Sequence, residues 1–123
     1  MYFIFRHSKK SNYKDKIGKY YHYTKNSPNY EKVRKGSKVL IYVKEINAII
    51  GKAEIREIKK FWKNNVLNFY AIYKNYKKFK NPIFCDYDFL EKCKIKYFLD
   101  GKLPGIIPIS KETYKKILSI KDG

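Results

Sequence analysis

Lys35-Gly36-Ser37-Lys38-Val39-Leu40-Ile41-Tyr42, followed shortly by Ile49-Ile50-Gly51-Lys52-Ala53-Glu54-Ile55, is the stretch that decides the fold. A glycine turn leads into a strand of β-branched, leucine and aromatic residues, and the second run reads as its antiparallel return. In the return, Ile49, Gly51, Ala53 and Ile55 share one face while Lys52, Glu54 and Arg56 share the other, the period-two pattern of a half-buried strand. Gly51 and Ala53 are small on the inner face, so either the core is tight there or another group comes close to the backbone. Ahead of the hairpin, Gly18, Pro28 and Asn29 bracket the cluster Tyr20-Tyr21-His22-Tyr23. Rings beside a hairpin, in a basic chain, suggest a base-stacking pocket with a charged surround.

Outward from the hairpin, residues 2–6 read as a central strand, apolar on both faces, followed by a polar loop at 7–12. Ser8 and Asn12 lie at a strand end, where pockets of small barrels open, although short polar residues also simply make turns. A short strand is expected over 20–24, a helical turn over 30–34, and the hairpin over 38–44 and 49–59 with its turn near Asn47. Residues 61–65 read as a turn carrying the only tryptophan, Trp62, and 67–79 as a long strand stopped by Pro82. A short helix over 88–94 opens on an aspartate cap, and 97–108 reads as a strand kinked around Gly101, Pro104 and Gly105. Ser110 caps a last helix over 111–120, with Tyr114, Ile117 and Leu118 on its apolar face. Five or six strands with two short helices imply an α+β domain, a small mixed β-barrel occupying 1–123 as one unit.

The charge is extreme: 29 Lys and Arg against 11 Asp and Glu give a net +18. Solubility alone needs about 2–8 net charges in a small domain, so the excess points to a polyanionic partner, nucleic acid first. Aromatic residues make up 18%, mostly 13 Tyr and 8 Phe, and tyrosine offers an apolar face with a polar tip. Cys85 and Cys93 are too few and wrongly spaced for zinc. No run approaches the roughly 20 apolar residues of a membrane span. With two thiols and no cleavable leader, a cytoplasmic protein without metal or cofactor is expected.

The pieces, in their order and spacing, resemble the EVE domains of the PUA-like superfamily, to which YTH and ASCH domains are also related. The first strand ending in Arg6-His7-Ser8 resembles the family's opening strand and serine. Tyr21-His22-Tyr23-Thr24-Lys25-Asn26 sits where EVE domains carry a tryptophan and, five residues on, an asparagine. The run at 35–42 resembles their Lys-x-Gly-Asp-x-Val-Leu-Phe-Tyr, with Ser37 in place of aspartate, and 50–55 resembles their Val-Gly-x-Ala-Glu-Val return. Pro82-Ile83, Gly101-Lys102-Leu103, Ile107-Pro108-Ile109-Ser110, Tyr114 and Ile117 resemble the end of the long strand and the closing strand and helix.

The resemblance implies a nucleic-acid reader of PUA-like fold that performs no chemistry. It would hold a flipped, possibly methylated, base in an aromatic cage. EVE domains also stand at the N-terminus of McrB-like modification-dependent restriction subunits, which read modified DNA. Modified DNA is therefore the favoured partner, and fusion to or association with an NTPase or nuclease effector belongs to the same expectation. Tyr21 is the first stacking ring and Asn26 its base-edge partner, with Tyr20, Ser8 and Asn12 completing the wall. The second ring comes from Trp62 or from Phe69, Tyr70 or Tyr73, since both faces of that strand carry aromatics. Lys9, Lys10, Lys74, Lys77 and Lys78 are the candidate phosphate contacts, although lysine runs are commonly just solvated. Three alternatives stay open: an RNA-binding domain of this fold acting on RNA or modified tRNA, a small metal-dependent nuclease built on Glu57-Ile58-Lys59, and a basic module for an acidic protein.

Overall fold

The computed structural model describes residues 1–8, 16–95, 98 and 103–121. Six strands form one mixed sheet: β1 (Tyr2–His7), β2 (Tyr20–Thr24), β3 (Lys38–Val43), β4 (Ala48–Lys63), β5 (Val66–Phe84) and β6 (Ile106–Ile109). Their order is β2-β5-β4-β3-β1-β6, with β1 parallel to β3 and antiparallel to β6. Among the described residues two α-helices follow late in the chain, α1 (Tyr87–Cys93) and α2 (Lys111–Lys121).

The 16-residue β4 and the 19-residue β5 make a long antiparallel arm. Three register shifts along it bend the ladder, and bulges are how long strands curl. Asn75, in the left-handed region at φ 55°, lies at one of them. There Gly51 meets Lys77: a Cβ on Gly51 would lie 2.7 Å from the Lys77 carbonyl oxygen. Close approach of another backbone, rather than tight packing, is therefore why glycine stands at 51.

The curl turns the sheet into a half-barrel whose edges meet through side chains. The Tyr21 hydroxyl packs against Gly105, and the Asn29 amide donates to the Ile106 carbonyl at 3.1 Å. Inside lie Phe3, Phe5, Val39, Ile41, Ala53, Ile55, Phe69 and Ile106. On the outside, α1 and α2 cover Ile4, Leu40, Ile49, Phe79, Ile83 and Ile107. The alternation of Phe3, Ile4 and Phe5, and of Val39, Leu40 and Ile41, feeds these two cores in turn.

Most of the expected elements are present, with shifted boundaries. β5 runs past Pro82, because the register jumps from Ile49↔Ile83 to Gly51↔Lys78 and the ladder asks nothing of the proline nitrogen. Residues 61–63 belong to β4, and the turn shrinks to Asn64-Asn65, both at positive φ (52° and 62°), the geometry of a tight two-residue hairpin. Asp86 caps α1, accepting the Phe89 N–H at 3.1 Å, and the Ser110 hydroxyl accepts the Thr113 N–H at 3.0 Å. Of the strand expected over 97–108 only β6 is seen, and residues 97 and 99–102 lie outside the described residues. Cys85 and Cys93 are buried thiols under the helices, and burial, reinforced by Cys93 and Asp86, pushes Cys85 up to about 12. They are packing residues, too weakly acidic for ready nucleophilic use.

Candidate nucleic-acid interface

Strand β2 pairs with β5 in the register Tyr21↔Ala71, His22↔Tyr70 and Tyr23↔Phe69, so its alternate residues face opposite sides of the sheet. Tyr21 and Tyr23 turn inward. Tyr21 stacks on Phe5 (4.7 Å, 27°) and meets His7 edge-on (5.0 Å, 65°). Only 5% of it is exposed, and its hydroxyl takes the space that a side chain at 105 would need. Beside it the His7 Nε2 and the Tyr73 hydroxyl share a hydrogen bond of 2.8 Å, and burial holds the fully enclosed His7 down to about 4.

One step along the strand the half-barrel opens. Tyr23 stacks on Phe69 (5.0 Å, 15°), and Tyr30 stacks on the same ring (5.7 Å, 26°). These rings, with Val33, Ile58 and Leu67, wall a hollow of about 470 Å³, and Glu31, Arg34 and Lys60 stand at its mouth. That volume lies within the roughly 300–1,000 Å³ of small-molecule sites. Tyr30 is positioned by its neighbour: Asn29, left-handed at φ 68°, ties the loop to β6 through the bond to Ile106. Arg34 folds back so that its guanidinium donates to the Glu31 and Val33 carbonyls, which fixes a cation at the opening. Burial raises the Tyr23 hydroxyl well above its usual range against the opposing pull of Arg34, so it remains a neutral donor inside the hollow.

The other side of β2 and β5 carries a second group. Phe61 stacks on Tyr70 (5.0 Å, 24°), and Tyr20 and His22 lie against Tyr70 at 5.0 and 4.9 Å. The Asn68 amide donates to the Val66 carbonyl (2.8 Å), leaving its oxygen to accept from His22 Nε2 at 2.7 Å. A shallow groove of about 320 Å³ beside these rings is lined by His22, Thr24, Asn26, Lys63, Asn64, Val66 and Asn68. Another open depression, of about 650 Å³, lies at Lys92, Lys116, Ser119 and Ile120, with no ring to stack on.

The sequence matches no protein-family model and no curated protein sequence. Solved structures do match. The N-terminal domain of Staphylothermus marinus McrB superposes with a TM-score of 0.69 at 16% identity, over 96% of this chain and 93% of that one. ASCH from Zymomonas mobilis gives 0.66 at 12% identity over 97% and 94%. Protein Atu2648 from Agrobacterium tumefaciens gives 0.66 at 13% identity over 98% and 92%. The fold is PUA-like.

Within this PUA-like half-barrel the residues expected to share one pocket do not converge. Tyr21 and Tyr73 are inside, sealed by Phe5 and His7. Tyr20 and Tyr70 are on the outer side with the Asn26 groove, because Tyr20 and Tyr70 alternate with inward-facing neighbours on their strands. Trp62, 70% exposed, stands at the tip of the β4–β5 arm, and Ser8 donates to Glu45 (2.7 Å) beyond the end of β1. Asn12, Lys9 and Lys10 lie outside the described residues. Lys74, Lys77 and Lys78 are exposed on β5, with Lys74 near Glu54 at 3.9 Å. Tyr30, Arg34 and Lys60 were not anticipated. Only the pairing of Tyr23 with Phe69 and the left-handed Asn29 bring them together, and neither is visible as a motif.

Among the described residues no helix is long and apolar enough to cross a membrane, and no group of three or more His, Cys, Asp or Glu is able to hold a metal. Glu57 of the nuclease-like tripeptide is paired with Arg56 at 3.1 Å, and its expected partner Asp15 lies outside the described residues.

Proposed function

We propose that this domain reads nucleic acid by taking one unpaired base into the inner hollow. The observation that carries the proposal is the hollow itself: half-buried Tyr30 offers a stacking face at its rim, and the buried rings of Tyr23 and Phe69 form its apolar wall. Arg34 and Lys60, together with Glu31, line the opening by which the sugar-phosphate would leave. A base drawn from its stack loses a few kcal/mol, and each ring it stacks on returns about 1–3 kcal/mol. A methyl group on the base adds roughly 0.8 kcal/mol per buried carbon in so apolar a site. Tyr21 then serves as the floor behind Tyr23, to which it is stacked at 6.0 Å, rather than as the contacting ring. The net charge of +18 supplies affinity for phosphates without sequence information.

Modified DNA is the favoured ligand on the strength of the EVE-like motifs and the fold shared with the McrB N-terminal domain. In that setting the domain would deliver an NTPase or nuclease effector to its target and do no chemistry itself. RNA is the alternative within the same fold. Anisotropy titrations with matched DNA and RNA oligonucleotides at several salt concentrations test the proposal. Log affinity is expected to fall against log salt by about 0.9 per duplex phosphate contacted. A response flat in salt would remove the nucleic-acid assignment, and tighter binding of the RNA series would replace DNA by RNA.

A further inference from the structure

On the outer side of the sheet, helices α1 and α2 cover the β1, β3 and β6 end, whereas the rings of the β2–β5–β4 arm have no layer over them among the described residues. Tyr20, Phe61 and Tyr70 are each half-buried there, beside the buried His22 and Asn68, and a cluster of partly exposed rings on a sheet face marks a site of interaction. From these observations we infer that this outer face is a second nucleic-acid site, a stacking platform for an unpaired nucleotide adjoining the one in the hollow.

The chemistry is written on β4. Lys59, Phe61 and Lys63 share one face by strand alternation, and Lys59 and Lys63 sit opposite Tyr70 and Val66. The two lysines flank Phe61 on the strand, with their Cα atoms about 13 Å apart. A base laid on the Phe61–Tyr70 pair would have a phosphate on either side of it, each near one lysine. Beside the rings, the groove offers the Asn26 and Asn64 amides to a base edge, and both side chains are exposed. The acids on this face of β4, Glu57 and Glu54, sit toward the far end and are paired with Arg56 and Lys74. The charge therefore complements a polyanion.

The inference rests on the nucleic-acid reading, and it is tested so that the two can fail separately. The isotope-labelled protein is titrated with a short oligothymidylate while backbone amide shifts are followed, and affinity is measured by anisotropy for wild type, Lys59→Gln/Lys63→Gln and Phe61→Ala. Shifts are expected at Phe61, Lys63 and Tyr70. The double lysine variant, which removes only exposed charges, should lower the salt slope by about 1.4, two single-strand phosphates at about 0.7 each. Phe61→Ala should weaken binding about tenfold with its amide spectrum otherwise folded. Shifts confined to Val33, Arg34 and Leu67 around the hollow, with an unchanged slope in the double variant, would overturn the second site and leave the hollow standing. No binding of any oligonucleotide by the wild-type protein would overturn both.

Discussion

Strand β2 divides the molecule's aromatic residues into two regions with different physics. Its inward rings, Tyr21 and Tyr23, belong to the core: they are 5% and 1% exposed and are stacked on Phe5 and Phe69. Its outward residues, Tyr20 and His22, meet Tyr70 on a face that no helix covers among the described residues. The inner region ends in a walled hollow with Arg34, Lys60 and Glu31 at its mouth, the outer one in an open shelf with Lys63 beside it. A hollow can select a base by shape and burial, whereas a shelf can only add stacking and charge. On the proposed reading, specificity would lie inside and tract affinity outside.

Removing one ring from each region breaks the comparison most forcefully. Tyr23→Ala deletes a fully enclosed ring and should destabilise the fold by about 3–5 kcal/mol, while Tyr20→Ala should cost about 1 kcal/mol, the worth of one aromatic pair at a half-open site. Urea unfolding curves with equal m-values measure both. Equal losses would mean that the outer rings are as much a core as the inner ones.

Acid sharpens the same contrast. His7 is held down to about 4 from its usual 6.5 because burial disfavours its charged form. The unfolded chain therefore takes up a proton first as pH falls, and stability that is complete above about 6.5 declines toward 4, by up to about 3 kcal/mol from this group. His7→Phe should flatten the decline by that amount, as followed by urea midpoints across the window. The hollow proposed to take the base lies in the same core, so the affinity of wild type should weaken in acid as the fraction folded falls.

A smaller effect probes the seam between the sheet edges. Gly105→Ala would place a methyl group 2.1 Å from the Tyr21 hydroxyl oxygen, a clash expected to cost about 1–3 kcal/mol. Tyr21→Phe removes that oxygen and should recover most of the loss in the double variant. Additive losses from the two substitutions would show that the seam closes differently.

The hairpin and its flanks were legible because strand alternation and glycine turns are local: strands form at 38–43 and 48–55. A bulge at Ile50 nevertheless breaks the expected single face, putting Ile49 in the outer core while Ala53 and Ile55 stay inside. The site was less so. Tyr21 carried the resemblance, yet the ring that lines the hollow is two residues on, since the register with β5 puts Tyr23 opposite Phe69. Tyr30 reaches the hollow through a bond from Asn29 to a strand 77 residues away in sequence. Neither pairing register nor a loop-to-edge bond leaves a periodic trace. Pro82 misled for a related reason, because a local rule for strand ends does not know where a bulge will excuse it.

The most direct test of an inner, base-selecting hollow is a competition panel of otherwise identical oligonucleotides, each with one differently methylated base, against wild type and Tyr30→Ala. Tyr30 is half-buried and stacked only at the rim of the core, so its loss should spare the fold. At least one methylated base should bind wild type more tightly than its unmodified counterpart, and that preference should vanish in Tyr30→Ala while salt-sensitive binding to unmodified strands persists. A panel bound without distinction by wild type, or the same preference kept in full by Tyr30→Ala, would contradict it.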